Sequence, residues 1–238
     1  KKNAQIEIAG QELVALGIQQ ECVALRRAID DGLRKVAAYE DAVGIALSLI
    51  PIDELNRKAY ERVSTLSKEG QGLTEERSLL EELCGWFKQE FFQWVNAPAC
   101  DYCMGSTSLK GVVPASVEEQ HDGGASRTEL YQCGVCGNAV RFPRYNDATK
   151  LLETKKGRCG EWSNCFGLCC RATGYKVRLV VDFKDHVWNE VLLQKEGVWV
   201  HVDPCEGIVD KPLLYEEGWG KKVDLCVGVD LDTVADVT

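Results

Sequence analysis

The spacing of apolar residues changes along the chain. In the first third, apolar residues recur at intervals of three or four positions, which is typical of amphipathic helices. Over residues 11–39 the positions with this spacing are Leu13, Leu16, Val23, Leu25, Ile29, Leu33 and Val36. Further helices are predicted over 41–49, over 52–66 after a break at Pro51, and from Thr74 to Trp94 after a turn at 70–72. This part is predicted to be helical and to pack on the rest.

The second half contains a different pattern, in which short runs rich in Val, Leu, Tyr and Trp are separated by polar links. The runs over 175–183, 186–193 and 197–203 predict a three-stranded antiparallel meander. A four-residue turn over 193–196 would pair Leu192 with Gly197 and place His186 opposite Asp203. A slip of one residue would turn one of those two side chains to the other face.

A helix is predicted between these two regions, over residues 161–171. Its apolar residues have helical spacing, and the run stops at Thr173-Gly174. The chain therefore contains both helices and antiparallel strands, and we expect an α+β fold in which this helix packs on the sheet.

Composition and charge narrow the classes of function. The chain has 238 residues, of which 45% are hydrophobic and 27% charged, and this is typical of a globular protein. No apolar run approaches the ~20 residues that cross a bilayer, so we expect no membrane span. The net charge of -9 opposes non-specific binding to phosphate backbones, so we expect no nucleic-acid partner.

Candidate chemistry centres on Cys159, which lies in the sequence Gly157-Arg158-Cys159-Gly160-Glu161-Trp162 just before the predicted helix. A helix start favours the thiolate form of a cysteine, because unpaired amides and the macrodipole stabilise negative charge there. His186 is the candidate base and Asp203 the candidate carboxylate that orients the imidazole. Such residues are more often structural when they occur singly. The helix start, the flanking glycines and the strand register together favour catalysis.

A second group of cysteines forms two Cys-x-x-Cys pairs, which are Cys100 with Cys103 and Cys133 with Cys136. Four thiolates suit tetrahedral zinc in a closed, structural site, and small neighbouring residues let backbone amides turn toward the sulfurs. Two disulfides or a redox-active pair are the alternatives. The segment from Met104 to Leu130 is predicted to be a loop between the two pairs.

The other cysteines indicate a reducing compartment. They are scattered on apolar faces without the regular spacing of a disulfide framework, and the sequence contains no Asn-x-Ser/Thr sequon and no signal-peptide pattern. We therefore expect a cytoplasmic location, with the nucleus as a further possibility. These scattered cysteines are Cys22, Cys84, Cys165, Cys169, Cys170, Cys205 and Cys226.

Several long motifs resemble the cytoplasmic peptide:N-glycanase family, which belongs to the transglutaminase-like superfamily. They are the stretches at 157–162, 185–191, 199–206 and 210–222 and, further upstream, 91–96. The resemblance runs from about Tyr39 to Lys222. It implies a transglutaminase-like (papain-like) core over 144–238, a four-cysteine zinc-binding lobe over 99–143 and a helical N-terminal part over 1–98.

The resemblance also implies an activity. Enzymes of this family remove N-linked glycans from misfolded glycoproteins during ER-associated degradation and convert the asparagine to aspartate. Laid on this sequence, Cys159 attacks the amide, His186 acts as base and then as acid, and Asp203 orients it, while the Cys159 amide and the Trp94 indole are candidate oxyanion donors. The family engages Rad23-type ubiquitin-receptor proteins, so such a partner is expected as well.

Sugar binding requires aromatic platforms and polar groups, and seven residues are candidates. Glu206 and Trp219 match positions on the glycan side of the family's site, whereas Arg178 and Glu190 would equally form a buried ion pair. The full set is Trp188, Trp199, Trp219, Arg178, Glu190, His201 and Glu206.

Two other functions remain open. One is a transglutaminase or cysteine protease that uses the same triad, and the other is a non-catalytic scaffold like the transglutaminase-like domains of DNA-repair proteins.

Overall fold

The computed structural model describes residues 23–68, 72–183 and 185–238. Its first two helices are α1, Val23–Leu49, and α2, Ile52–Lys68. The helices predicted over 11–39 and 41–49 are therefore one continuous helix from Val23 onward, and the predicted positions before Val23, like residues 70 and 71 of the predicted turn, lie outside the described residues. Pro51 separates α1 from α2, as predicted, because a proline disfavours helical geometry at the residue before it.

Helix α3, Glu75–Trp86, begins where the sequence predicted. The Thr74 hydroxyl accepts a hydrogen bond from the Arg77 amide at 3.2 Å and so caps the helix. The predicted end of this helix at Trp94 is wrong, because α3 passes into a π-helical turn over Phe87–Phe91.

The π-helical turn has a packing reason. The Phe92 amide donates to the Phe87 carbonyl, five residues back, at 2.9 Å, and the two rings stack with centroids 5.2 Å apart. Phe91 and Phe92 are both buried, Phe91 at the end of the π-helical turn and Phe92 in the extended residue that follows it. The chain then extends as β1, Gln93–Trp94.

The four-cysteine lobe contains regular structure where the sequence predicted a loop from Met104 to Leu130. Strand β2 covers Thr107–Pro114, α4 covers Val117–Gly123, β3 covers Arg127–Cys133 and β4 covers Ala139–Pro143. The three strands form an antiparallel sheet in the order β2-β3-β4. No residue of β2 is fully buried, so this strand lacks the alternating pattern that identifies a strand from sequence.

The nucleophile region begins with α5, Ala148–Thr154, and β5, Lys156–Gly157, which pairs in parallel with β1. Helix α6, Cys159–Ala172, follows and confirms the helix predicted after Cys159.

An antiparallel sheet in the order β11-β10-β6-β7-β8-β9 then completes the fold. Its strands are β6 Lys176–Asp182, β7 His186–Leu193, β8 Val198–Asp203, β9 Ile208–Val209, β10 Cys226–Val229 and β11 Val234–Asp236. The predicted meander is confirmed as β6, β7 and β8.

The predicted register between β7 and β8 is wrong by two residues. Leu193 pairs with Val198, so the four-residue turn covers 194–197 instead of 193–196. The reason is Gly197, whose φ of +70° is the left-handed conformation that ends the turn. Gly197 therefore belongs to the turn and cannot be the first residue of the strand.

The shift moves each end of the turn by one residue and the register by two, so every side chain stays on its predicted face. In the observed ladder Asn189 pairs with Val202, and Asp203 therefore comes level with Trp188. His186 and Asp203 form a diagonal pair on one face, which is within reach of long side chains.

Helix α6 is the centre of the packing, with the sheet strands β6 and β7 on one side and α1 on another. The Tyr39 hydroxyl of α1 donates to the Asn164 side chain of α6 at 3.0 Å, and both residues are buried. None of the helices within the described residues has the length and apolar character to cross a membrane. The burial of α6 on several sides holds its first residue, Cys159, in a fixed position.

Candidate active site

Cys159 is the first residue of α6, and the backbone before it is held by α6 itself. The preceding residue, Arg158, is the extended N-cap, and its amide donates to Glu161 Oε2 at 3.0 Å. Glu161 folds back over Gly157, where an added Cβ would lie 2.4 Å from the Glu161 Cβ. Only glycine at this position leaves room for the Glu161 side chain.

His186 is the first residue of β7 and only 7% of it is exposed. Its Nε2 lies 2.7 Å from Asp203 Oδ2, and His186 lines the same cleft as Cys159. Burial lowers the pKa of His186, but the bonds to Asp203 and Cys159 outweigh it and raise the pKa to about 9. The imidazolium is therefore the form favoured at neutral pH.

Asp203 is fully buried and its carboxylate is hydrogen-bonded on both oxygens. Oδ2 accepts from His186 and from the Tyr215 hydroxyl, the latter at 2.8 Å, and Oδ1 accepts from the amides of Cys205 and Glu206 at 2.8 and 3.2 Å. Burial raises the pKa of Asp203, but its hydrogen-bond donors and the charge of His186 lower it overall. The carboxylate stays ionised beside His186.

Tyr215 links Asp203 to a second histidine. His201 Nε2 lies 2.8 Å from the Tyr215 hydroxyl, and burial lowers the pKa of His201 to about 4. The neutral His201 ring must therefore donate from Nε2, because the Tyr215 hydroxyl uses its own proton on Asp203. His201, Tyr215, Asp203 and His186 form one buried chain of hydrogen bonds.

An open cleft of about 1240 Å³ lies against Cys159 and His186. Trp94 and Trp219 both contribute to its walls and are 46% and 47% exposed. Glu206 also lines the cleft. Cationic side chains of the cleft lining are Lys88, Arg127, Arg144 and Arg158.

Cys100, Cys103, Cys133 and Cys136 converge in the lobe, with their sulfur atoms all within 4.8 Å of one another. Three of the sulfur pairs are 3.4 to 3.5 Å apart. The Val135 amide points at the Cys133 sulfur, at 3.4 Å. The four thiols form a site that could hold a metal ion, and the eleven cysteines of the described residues form no disulfide.

Comparison with known proteins agrees with this geometry. A family model described as the transglutaminase-like superfamily matches residues 118–204, a span that includes Cys159, His186 and Asp203. The chain carries a transglutaminase-like domain.

Curated relatives of this chain share one name. A rice protein named peptide-N(4)-(N-acetyl-beta-glucosaminyl)asparagine amidase is 47% identical over 90% of this chain and 48% of its own length. The Arabidopsis thaliana protein of that name is 48% identical over 86% of this chain and 28% of its own length. The human one is 44% identical over 90% and 34%. The chain thus spans about half, or less, of these relatives.

Among solved structures, a chain in the crystal structure of Rad4-Rad23 bound to a 6-4 photoproduct UV lesion has a TM-score of 0.49 and 14% identity. The alignment covers 87% of this chain and 45% of that one. A likeness of this strength has no bearing on fold or function.

Only some of the predicted sugar-binding residues line the cleft of the transglutaminase-like domain. Trp219 and Glu206 do, and the Trp219 ring stands edge-on to His186 with centroids 5.1 Å apart. Trp188 is 6% exposed and stacks on His186 instead of facing the cleft. His201 is buried behind Asp203, in the chain of hydrogen bonds described above.

Arg178 and Glu190 form the ion pair that the sequence left as an alternative. They face each other across β6 and β7, with Arg178 Nη2 2.5 Å from Glu190 Oε2. The guanidinium also lies 4.2 Å from the ring centroid of Trp199. None of the three is among the residues that line the cleft.

Trp94 lies in the cleft wall, as its predicted role requires, but its indole N–H donates to the Asn96 side chain at 2.8 Å. Trp94 would have to exchange this partner for a substrate oxygen, so the oxyanion role of Trp94 stays a prediction.

Sequence reasoning missed three residues of the transglutaminase-like domain and its lobe that contact the site, namely Tyr215, Glu129 and Arg144. Tyr215 lies within the 210–222 motif but was assigned no role there. A signal existed for Tyr215, since a tyrosine in an apolar run usually needs a partner for its hydroxyl. No local signal marks Glu129 or Arg144, because their partners are distant in sequence.

Proposed function

We propose that this chain is the catalytic part of a peptide-N4-(N-acetyl-beta-glucosaminyl)asparagine amidase, which hydrolyses the amide bond between asparagine and an N-linked glycan. The observation that carries the proposal is the Cys159–His186–Asp203 arrangement beside an open cleft, in a chain similar to proteins of that name. The substrates would be misfolded glycoproteins.

The geometry supports a two-step reaction. With its proton held by His186, the Cys159 sulfur attacks the side-chain amide carbon of the glycosylated asparagine. The resulting oxyanion would accept from the Cys159 amide, which is unpaired at the helix start, and from the Trp94 indole. Each such donor contributes about 3 kcal/mol to stabilising the transition state.

Collapse of the tetrahedral intermediate breaks the C–N bond, and His186 gives its proton to the departing glycosylamine. A thioester to Cys159 remains. His186, now neutral, takes a proton from water as the hydroxide attacks the thioester, and the thiolate leaves. The products are a peptide with aspartate in place of asparagine and the free glycosylamine. Asp203 orients the imidazole and stabilises its positive charge in both steps.

Aromatic and polar groups of the cleft would hold the sugar. Trp219 presents an exposed ring next to His186, and Glu206 presents a carboxylate on the same lining. Both positions agree with the glycan side that the resemblance implies. In this proposal the sugar is not bound by Trp188, Arg178 or Glu190. Trp188 packs against His186, and Arg178 and Glu190 form an ion pair between β6 and β7.

The reaction is tested with a denatured high-mannose glycoprotein in water labelled with oxygen-18. The wild-type chain should release free glycan and leave aspartate carrying the label, and Cys159→Ala should release none while remaining folded. Cys169→Ala, in the same helix but buried away from the cleft, should keep the activity. Cleavage of the peptide backbone, amine cross-linking, or no reaction by the wild type would each overturn the proposal and favour a protease, a transglutaminase or a scaffold.

We propose zinc as the metal of the four-cysteine site. A Zn–S bond of about 2.3 Å in tetrahedral geometry places sulfurs about 3.8 Å apart, close to the separations observed. Disulfides require about 2.05 Å, which none of the measured pairs approaches. Four thiolate ligands close the coordination sphere, so the ion would stabilise the lobe and take no part in the reaction. Metal content of the purified chain, measured by atomic spectroscopy, tests this.

Two further proposals concern the setting of the protein. A chain with many free thiols functions best in a reducing compartment, which supports the cytoplasm, or the nucleus, and a role in ER-associated degradation. A Rad23-type ubiquitin receptor is the proposed partner, supported by the resemblance and by exposed apolar side chains such as Val23 and Ile45 on α1. Co-purification of the two proteins, and its loss in Ile45→Glu, would test the partner.

A further inference from the structure

Four charged side chains form a closed ring next to Cys159. Glu129 binds Arg158 through both carboxylate oxygens, at 2.9 and 2.7 Å, and binds Arg144 at 3.0 Å. Arg144 binds both oxygens of Glu161, at 2.6 and 2.7 Å. Glu161 closes the ring by accepting from the backbone amide of Arg158 at 3.0 Å.

The ring encloses the N-terminus of the nucleophile helix. Arg158 immediately precedes Cys159, and Glu161 follows it by two residues, so both ends of the backbone that carries the thiol are held. The Arg158 guanidinium also donates to the carbonyls of Val95 and Asn96, at 3.0 and 3.1 Å. The Arg158 side chain is thus held in place by its own hydrogen bonds, and it in turn fixes the backbone that positions the Cys159 thiol.

Glu129 joins this ring to the four-cysteine lobe. It lies on β3 and shares a face of that strand with Tyr131 and Cys133, because side chains two residues apart point the same way. The Tyr131 hydroxyl donates to Glu129 at 2.8 Å, and both Tyr131 and Cys133 belong to the core of the lobe. The strand that supplies one candidate metal ligand therefore also supplies the carboxylate that holds Arg158.

The energetics favour a role in positioning. Glu129 is 6% exposed, and burial would raise its pKa, but its bonds to Arg158, Tyr131 and Arg144 lower the pKa to about 2. Charges taken out of water in this way gain little net stability from their pairing, since desolvation offsets the attraction. What a saturated, bidentate network does supply is a single geometry.

We propose that Glu129 is a positioning residue for the reaction, holding Arg158 so that the Cys159 thiol faces His186. The proposal rests on the proposed function only in taking Cys159 as the nucleophile. It assigns the lobe a second task, because the lobe then sets the geometry of the nucleophile through β3 as well as forming one wall of the cleft.

The test is the rate at which iodoacetamide alkylates Cys159, followed for the Cys159 peptide by mass spectrometry over a series of pH values. This readout needs no glycoprotein substrate. Glu129→Gln keeps the shape of the side chain but removes the charge that fixes Arg158. We expect its alkylation rate at neutral pH to fall about tenfold, since small misplacements of reacting groups have large effects, and its pH profile to move. The melting temperature should fall, because Arg158 and Arg144 lose the carboxylate they share, whereas the metal content should stay at the wild-type value.

Glu119→Gln is the matched control. Glu119 makes a bidentate ion pair with Arg141 in the same lobe, at 2.7 and 2.8 Å, and within the described residues no hydrogen bond joins this pair to α6. Its substitution should leave the alkylation rate and its pH profile unchanged. A fall in both variants alike would mean that any loss of charge in the lobe has this effect, and would overturn the proposal.

A folded Glu129→Gln variant with wild-type alkylation would also overturn it. If that variant does not fold, Arg158→Lys provides the second measurement, because lysine keeps the charge but cannot bind two oxygens and two carbonyls at once. Slower alkylation in folded Arg158→Lys supports the proposal, and unchanged alkylation, or loss of the fold in both variants, overturns it. Failure of the wild type to release glycan, with the alkylation difference intact, would contradict the proposed function alone.

Discussion

The hydroxyl of Tyr215 donates to Asp203 Oδ2, the same oxygen that binds His186 Nε2, with distances of 2.8 and 2.7 Å. Both donors thus bind the same oxygen of a fully buried carboxylate, and the His201 ring donates to the Tyr215 hydroxyl from the other side. The orientation of the imidazole therefore depends on a tyrosine that does not touch it through a hydrogen bond. A triad described by three residues omits this partner.

Tyr215→Phe should weaken the hydrogen bonding of Asp203 without leaving a cavity, because the aromatic ring remains and only the hydroxyl donor is lost. Hydrogen bonds to charged groups contribute about 1.5 to 3 kcal/mol, so we expect a lower free energy of unfolding by about that amount. The pKa of Asp203 should rise, which moves the acid limb of the activity to higher pH. The pH profile of glycan release and urea denaturation measure the two effects.

Tyr175→Phe is the control for this change. Tyr175 is buried as well, and its hydroxyl donates to the Glu76 carbonyl at 2.7 Å, far from Asp203. It should lose stability but keep the wild-type pH profile. An unmoved acid limb in Tyr215→Phe would show that the tyrosine serves packing alone.

Stability should depend on pH through His186. Its pKa is about 9 in the folded chain against 6.5 for the free side chain, so the folded state binds the proton more tightly. This stabilisation is fully present below about pH 6.5 and is lost as the pH rises through about 9. We expect the free energy of unfolding to fall by up to about 1.4 kcal/mol per pH unit in that window.

Urea denaturation over the same pH range, compared between the wild type and His186→Gln, isolates this contribution. The slope should be absent in His186→Gln and unchanged when the exposed His121 is replaced by glutamine. A flat curve for the wild type between pH 6.5 and 9 would contradict the assigned ion pair.

Loss of one metal ligand should lower the reactivity of Cys159. Cys103→Ser is expected to release the metal and to expose residues 99–143 to proteolysis, because structural zinc contributes directly to folding. Alkylation of Cys159 should slow as well, since β3 links Cys133 to Glu129. Val135→Ser, which changes an exposed residue between two ligands, should keep the metal and the rate. A wild-type rate of Cys159 alkylation in a metal-free chain would show that the lobe does not influence the geometry of the nucleophile.

Arg178→Lys distinguishes a structural ion pair from a sugar ligand. Lysine keeps the charge but loses the planar fork on Glu190 and the contact with the Trp199 ring. We expect the free energy of unfolding to fall by about 1 to 3 kcal/mol, with KM unchanged. A raised KM in a variant of wild-type stability would instead identify Arg178 as a substrate contact.

Trp219→Ala tests the exposed wall of the cleft. Because the ring is 47% exposed and lies against His186, its loss should remove a stacking surface for the sugar and raise KM about tenfold. Alkylation of Cys159 should remain close to wild type, since the ring makes no hydrogen bond to the triad. Equal effects on KM and on alkylation would show that Trp219 holds His186 in place and does not bind the sugar.

Local signals in the sequence determined several of the elements and most of the candidate chemistry. The Thr74 cap, the break at Pro51 and the helix that starts at Cys159 follow from interactions within a few residues. The runs rich in Val, Leu, Tyr and Trp that predicted β6, β7 and β8 are local signals as well. The two Cys-x-x-Cys pairs are likewise a local spacing, and the structure brings their four sulfurs together.

The register of β7 on β8 was only half determined by sequence. The alternation of side chains specified the face on which His186 and Asp203 lie, but Gly197 decided where the turn ends and thereby which residues pair. Because an error of two residues preserves the face, the two side chains meet although the predicted partner was wrong.

Tertiary structure alone decided the rest of the site. Glu129 meets Arg158, Tyr215 meets Asp203 and Arg178 turns away from the cleft, in each case through contacts between residues 12 to 29 positions apart. Nothing in the spacing of residues along the chain encodes the first two of these pairs, because they arise only when separate elements pack against one another. Sequence therefore determined which groups are able to react, and packing determined which groups hold them in place.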